Sequence, residues 1–483
     1  MLVKRSIGIA IVVFWCVMNV LLIKRQLAAP PSLLTLRGSE KITDRIEEWW
    51  GVFFRGEKIG YATQTIMPTR TGYELRDRSV LQLNLLGAVQ PAETQLAMTA
   101  NHDWILERFD FELVSKEISF KARGAVADNK LALALDSAGH RSTQQITLTQ
   151  APYLLAALKP YIVTQQLESG KKFYFSIFDP ATLSQQVTSV VIEGREFVRI
   201  GERSEPAIKL RQDFRGLSVV SWVDGQGRTL REESPAGMSL MRQSEPEAKR
   251  LAARALALDV VARTAIQVTQ AIAEPAAQSV MEFKLSGIDW SHFPLDGGRQ
   301  RRRDDRLEIR REELSRLAPR RLPIEDRNLA AYLRPTPFVQ SDHPRVQALA
   351  GKILQGETNA RRAAERLKNW VYREIAKQPT VSIPNALQVL QTRRGDCNEH
   401  TVLFNALARA AGIPAKTVVG VVYLRGAFYY HAWSEVWLGD WISLDSALNQ
   451  FPADVTHIKF LEGEIDRQID ILQLIGNLKI EVI

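Results

Sequence analysis

The sequence predicts an α+β protein: an N-terminal transmembrane helix, an antiparallel β-rich accessory domain, and a C-terminal α+β core that carries a reactive thiol. Three observations lead there. Ser6 to Ile23 is an apolar run without a charge; from Lys41 to about Met241 short β-prone runs alternate with turn residues; and beyond Pro335 amphipathic helical patterns are followed by a hairpin. With 483 residues, 45% apolar and 24% charged, the chain has the composition of two or three globular domains. The expected divisions are a signal anchor over 1–25, the accessory domain over 41–250, a connecting β and charged region over 251–334, the core over 335–463 and a C-terminal tail over 464–483.

The apolar run is flanked by Lys4 and Arg5 on one side and by Lys24 and Arg25 on the other. Its 18 residues suffice to span a bilayer and exceed the core of a cleaved signal. The expectation is a single-pass protein of a bacterial inner membrane, its short basic tail cytoplasmic and its body facing the periplasm. Cysteine usage agrees: Cys16 lies in the apolar run and Cys397 has no partner, so no disulfide framework exists.

The net charge of +9 is not spread over the chain. The four cations around the apolar run contribute +4, and ten arginines with five acids between Arg299 and Arg321 contribute +5. The rest is neutral, which excludes a generally basic nucleic-acid binder, and the mixed signs of 299–321 suit a solvated strand or connector.

In the accessory region, Val52–Phe54 and Ile59–Tyr61 flank a turn at Arg55–Lys58, and Val219–Val223 leads through Asp224–Gly227 to Thr229. Further strands are expected at Val80–Leu85, Phe109–Val114 and Lys172–Phe178, with one helical piece near Pro152–Leu158. A twisted or curved antiparallel sheet follows. His102 and His140 have no neighbours at metal-ligand spacing and read as surface residues, and Trp49-Trp50 reads as core. The alanine-rich stretch from Glu247 to about Ile272 reads as partly helical, and Val280–Phe283 and Leu307–Ile309 as joining strands.

The core begins with helices over His343–Leu354, capped by Ser341-Asp342, and roughly Thr358–Ala376. A third starts at Cys397, with Asp396 as N-cap, Glu399 closing a capping box, an apolar face of Leu403, Phe404, Leu407, Ala408 and Ala411, and Gly412 and Pro414 as terminators. A helix N-terminus favours a thiolate at Cys397, against the charge of Asp396. His431, Trp433, Glu435 and Trp437 share one strand face, as do Trp441, Ser443 and Asp445 on the next. A three-residue loop at Leu438–Asp440 would place Trp433 opposite Asp445 and His431 diagonal to it, roughly 7–8 Å between backbones. The alternatives are His400 as the base, or as a metal ligand with Cys397; a helix neighbour crowds the thiol, and no second Cys/His pair completes a zinc site. His457 reads as lining the site.

At these residues the chain resembles the transglutaminase-like superfamily. The resemblance rests on Asn385-Ala386-Leu387-Gln388-Val389-Leu390, Gly395-Asp396-Cys397, Ala406–Ala415, His431-Ala432-Trp433 with Glu435, and Trp441 before Asp445, from about Pro335 to about Gly463. Ser446 stands where members usually have proline, and Lys416 where they have arginine. The resemblance implies a papain-like fold and a Cys397, His431 and Asp445 triad for acyl transfer or hydrolysis at protein or peptide amides, with no cofactor and no metal. It implies the Cys397 N–H as one oxyanion donor. The expected partners are a protein or peptide substrate and, through the N-terminal helix, the inner membrane, but no nucleic acid. The oligomeric state has no signature in the sequence. The competing reading is a non-catalytic binding or scaffold protein that keeps the fold.

Overall fold

The computed structural model describes residues 42–116, 118–137, 139–164, 169–214, 216–251 and 259–483. From Ile46 to Arg242 the chain builds one antiparallel sheet of fourteen strands. The first eight run outward in order from Ile46–Phe54; after helix Leu155–Thr164 the other six return, so that Met238–Arg242 pairs with Ile46–Phe54. Tyr153 bridges Ile105 on one side and Ile177 on the other, which brings the end strand Lys172–Asp179 round toward the fifth strand and curls the sheet.

Alternation drives this arrangement. In Lys130–Ser137, Leu131, Leu133 and Leu135 are buried while Lys130, Ala132 and Ala134 are exposed, the period of two that a strand with one wet face requires. The inward faces, among them Leu75, Phe109, Phe175 and Leu210, form one core with Leu158 and Ile162 of the helix. The adjacent tryptophans divide as strand neighbours must. Trp50 is buried, its Nε1 donating to Thr229 O at 3.0 Å, and Trp49 lies on the other face under Lys249 Nζ, 4.8 Å from its ring.

The C-terminal half contains helices Pro344–Leu354, Ala360–Glu374, Ala386–Thr392 and Cys397–Ala410, packed against a sheet whose order is Ile266–Gln267, Ala427–Trp437, Ala415–Leu424 and Ile458–Glu462, with Trp441–Leu444 on the second of these. The cap of the first helix is not the expected Ser341-Asp342. His343 itself caps through Nδ1, with Pro344 at the first turn, and Asn359 caps the second helix. A separate four-stranded sheet joins Gln300–Arg303, Arg306–Arg310, Val280–Ser286 and Lys479–Val482, so the segment after 464, expected as a tail, ends in a paired strand.

Several contacts join the halves. Phe338 and Ile383 pack into the core of the curved sheet, and Asn385 Nδ2 donates to Ser137 Oγ at 2.6 Å. Asn385 Oδ1 meanwhile caps helix Ala386–Thr392 by accepting from Gln388 N at 3.0 Å. The segment leading to Cys397 is therefore pinned to the accessory sheet.

The expected fold class requires correction in two respects. The protein is β-dominated, with most of its helix between Pro344 and Ala410. Among the described residues no helix is long and apolar enough to cross a membrane; the longest, Ala360–Glu374, has fifteen residues and a charged face, against the ~20 apolar residues a span needs. The expected transmembrane helix, and with it the single-pass inner-membrane placement with a periplasmic body, is thus no part of the described fold. The run from Ser6 to Ile23 that suggested it lies outside the described residues.

Replacing Asn385 by alanine removes a cap and a buried cross-domain bond together, and should lower stability by about 1–3 kcal/mol in urea unfolding. Asn385→Asp keeps the cap oxygen but loses the donor to Ser137, and should retain part of that loss.

Candidate active site

Cys397 is the first residue of its helix. Asp396 caps it, accepting from Asn398 N at 2.9 Å, and Glu399 Oε2 accepts from Asp396 N at 2.9 Å, completing the capping box. Gly395 has no side chain to obstruct this return: a Cβ there would lie 2.2 Å from that of Glu399. The helix departs from the expected amphipathic pattern, since every residue from Glu399 to Arg409 is buried. Its polar residues at four-residue spacing face the sheet: Thr401 Oγ1 donates to Ala432 O at 3.1 Å, Asn405 Nδ2 to Thr417 Oγ1 at 2.8 Å, and Arg409 Nε to Ala415 O at 3.0 Å. The first bond fixes the cysteine helix to the strand that carries His431, and the other two fix it to the neighbouring strand Ala415–Leu424.

The hairpin has the register of a three-residue loop. Trp437 pairs with Trp441 and Ser434 with Leu444, and Gly439 takes φ +107° in the turn, where a side chain would be strained. His431 and Asp445 thereby meet, Nε2 to Oδ2 at 2.6 Å. Opposite His431 on the neighbouring strand is Gly420, where a Cβ would lie 1.9 Å from Ile458 O; only glycine lets the three strands approach.

Asp445 is fully enclosed. Its Oδ1 accepts from Ala447 N at 2.7 Å and Leu448 N at 2.8 Å, and its Oδ2 accepts from both His431 and His457 Nε2, the latter at 3.0 Å. Burial opposes its ionisation, yet the charge and hydrogen bond of His431, then those of His457, hold it far below the usual carboxylate range. His457 does more than line the site. It lies between two carboxylates, its Nδ1 3.1 Å from Asp454 Oδ1, and although burial disfavours its charge these bonds raise its pKa. The Trp433 ring covers it edge-on at 5.1 Å.

The surroundings of the Cys397 sulfur oppose the thiolate expected at a helix start. Burial pushes the Cys397 thiol well above its ordinary range and Asp396 adds to this; the Ala432 amide, hydrogen-bonded to the sulfur, pulls partly back. Asp396 is itself raised well above the usual range, by burial and then by Glu399, and a carboxyl that keeps its proton repels a thiolate less. The helix end is too small an effect to offset desolvation. Cys397 as a residue is half-buried, while its sulfur lies deep beside Ala432. His400 is committed elsewhere: fully buried, it donates from Nδ1 to Asp396 O at 2.6 Å, and desolvation lowers its pKa.

His431, Asp445 and His457 place ligand atoms within 4.8 Å of one another, a spacing that a metal ion could use. In the structure both imidazole Nε2 atoms bond to the one carboxylate oxygen, so the cluster forms a hydrogen-bond network.

Two site residues escaped sequence reasoning because they lie in the arginine-rich segment read as solvated. Arg299 is buried, bonded to Ser443 Oγ, to Ala453 O at 2.8 Å and to Asp454 O at 2.5 Å, and paired with Glu312 at 3.1 Å. Glu312 Oε1 accepts from Ser443 N at 2.8 Å. Together they brace the strand before Asp445 and the segment that supplies Asp454; nothing in the local pattern separates Arg299 from its exposed neighbours. Lys416, one of the two departures from the family pattern, pairs with Glu435 at 3.1 Å and lies 4.1 Å from the Trp441 ring, tying those motif residues together.

With this geometry in view, comparison with known proteins is informative over part of the chain. Residues 347–446 match the family model described as the transglutaminase-like superfamily. An uncharacterized protein of Haemophilus influenzae is 32% identical over 111 residues, covering 20% of this chain and 30% of that one, so the chain spans under a third of this relative's length. Among solved structures, the chain is similar to a proposed cysteine protease from Cytophaga hutchinsonii (17% identity, 42% of this chain and 83% of that one, TM-score 0.29). It is also similar to a beta-barrel-like protein of a domain of unknown function from Brucella abortus (11% identity, 41% and 95%, TM-score 0.33). Scores this low carry no conclusion by themselves.

Arg299→Ala leaves Glu312 buried without its cation, and the Ala453 and Asp454 carbonyls without that donor, and should cost about 3–5 kcal/mol in urea unfolding; Arg299→Lys, unable to span three acceptors, should recover only part. The histidine network sets a pH window. A raised His457 contributes stability that is complete below the ordinary imidazole value of about 6.5 and is lost as pH rises through its folded value. The depressed Asp445 and Asp454 contribute above the ordinary carboxylate value of about 3.9, and lose that contribution as pH falls toward their folded values. Thermal unfolding of His457→Gln should therefore lack the alkaline decline that the parent shows.

Proposed function

Since residues 347–446 form a transglutaminase-like domain, a superfamily of generally catalytic thiol proteins, we propose that this protein performs acyl transfer or hydrolysis at protein or peptide amides. Cys397 is the nucleophile, His431 the general acid and base, and Asp445 the group that orients the imidazole. The observation that carries this reading is the 2.6 Å bond between His431 Nε2 and Asp445 Oδ2, on a strand whose next residue, Ala432, contacts the Cys397 sulfur. With Nε2–H donated to the carboxylate, Nδ1 is the tautomeric position left to accept a proton.

Because burial disfavours a free thiolate at Cys397, attack and proton transfer go together. His431 Nδ1 takes the proton as the sulfur bonds to the amide carbon; the C–N bond then breaks, and the same proton passes to the leaving amine. Asp445 stabilises the imidazolium between these steps without being protonated itself. The thioester is released by water, giving hydrolysis, or by an amine, giving transfer. A helix-terminal N–H at Cys397 is a suitable oxyanion donor.

Iodoacetamide alkylation of Cys397, followed by mass spectrometry across pH, tests the assignment. Wild type should react increasingly into the alkaline range, with a component at neutral pH that His431→Ala removes and Asp445→Asn reduces, while His400→Ala changes little. Turnover of an amide substrate should fall about 10²–10⁴-fold in His431→Ala. If the His431→Ala alkylation profile coincides with wild type, the imidazole is not the base and a non-catalytic scaffold is the better reading.

A further inference from the structure

One sizeable cavity lies away from Cys397. It lies inside the curl of the fourteen-stranded sheet, holds about 860 Å³, and none of Cys397, His431 or Asp445 lines it. Ligand pockets span roughly 300–1,000 Å³, and apolar walls lacking contacts across a gap this wide forfeit dispersion that an occupant would restore. Its walls include Ile66, Leu96, Met98, Trp104, Ile177 and Phe178, and its rim includes Asp44, Gln226 and Leu155, the last 44% exposed.

Across this apolar wall runs a row of three polar residues. Glu48, Gln64 and Asp77 are directly paired on successive strands, with Leu96 next in line on the fourth, so their side chains share the cavity face. Most charged groups around the cavity are matched within the protein: Glu48 with Arg242, Glu232 with Lys159, Arg228 with Asp224. Asp77 is different. Gln64 hydrogen-bonds to its carboxyl, but Oδ1 is buried without a partner among the described residues. A deep carboxylate oxygen with nothing to accept from is costly unless a donor arrives from elsewhere.

We propose that this cavity binds an amphiphile consisting of a hydrocarbon body and a single amino head group. The chain lies against Ile66, Leu96, Met98 and Phe178, and the ammonium donates to Asp77 Oδ1. Leu155 at the rim gives the tail an apolar entry. An anionic head would meet Asp77 and Glu48, and a hydroxyl head would supply one uncharged donor in place of a charge-assisted bond. The proposal is independent of the thiol chemistry.

Calorimetric titration of the 483-residue chain with decylamine, decanol and decanoate, each below its micelle concentration, provides the test. Decylamine should bind once per chain and about ten-fold or more tighter than the other two. The isosteric Asp77→Asn should weaken decylamine by that factor and leave decanol within about two-fold. Ser79→Phe, which fills the cavity from a half-buried position of its wall, should abolish all binding while Cys397 alkylation stays at the wild-type rate, showing that the chain has folded. Absence of saturable decylamine binding, equal affinity for the three probes, tightest binding of decanoate, or an unchanged decylamine affinity in Asp77→Asn would each overturn the proposal.

Discussion

A fully enclosed carboxylate, that of Asp445, is the constraint on which the C-terminal half depends. Removing such a charge from water costs several kcal/mol unless its lone pairs are all engaged. Here two backbone amides satisfy one oxygen and two imidazoles the other. Each partner imposes geometry in turn. The amides require the tight turn after Asp445, His431 requires the odd hairpin loop, and His457 requires Asp454 behind it. Arg299 then holds the Asp454 backbone and Ser443 in place.

The same demand for satisfied buried polarity explains the cysteine helix. Buried on all sides, it has no solvent to hydrate Thr401, Asn405 and Arg409, so they bond to the sheet and set the height of Cys397 relative to Ala432. The accessory sheet reaches this site mechanically, through Phe338, Ile383 and Asn385 ahead of the cysteine helix. Its own interior is organised by a different rule, alternation around a curl wide enough to leave a cavity.

Much of the site was legible in the sequence because it is local. Parity of residues 431 and 445 fixes which face each side chain occupies, and the capping box around Cys397 is a matter of four consecutive residues. The strands of the accessory region were legible for the same reason, since alternation is a nearest-neighbour signal. What could not be read is non-local. Arg299 differs from Arg301 to Arg303 only in what the distant Ser443 and Asp454 offer it. The protonation state of Cys397 depends on how much of the fold covers the sulfur, which a helix-end argument omits. The apolar run at 6–23 lies outside the described residues, and the described helices contain no membrane-crossing element in its place.

The Arg299 brace also bears on the order in which the molecule is assembled. His431 and Asp445 are 14 residues apart and can meet as soon as their hairpin closes, whereas Arg299 and Ser443 are separated by 144. Long-range closure is entropically late. Until it happens, the hairpin can exist with its carboxylate still hydrated and the imidazole only weakly polarised. The enclosed surroundings of Asp445 are therefore completed only on long-range closure, so His431 acquires its polarised setting after the hairpin that carries it has formed.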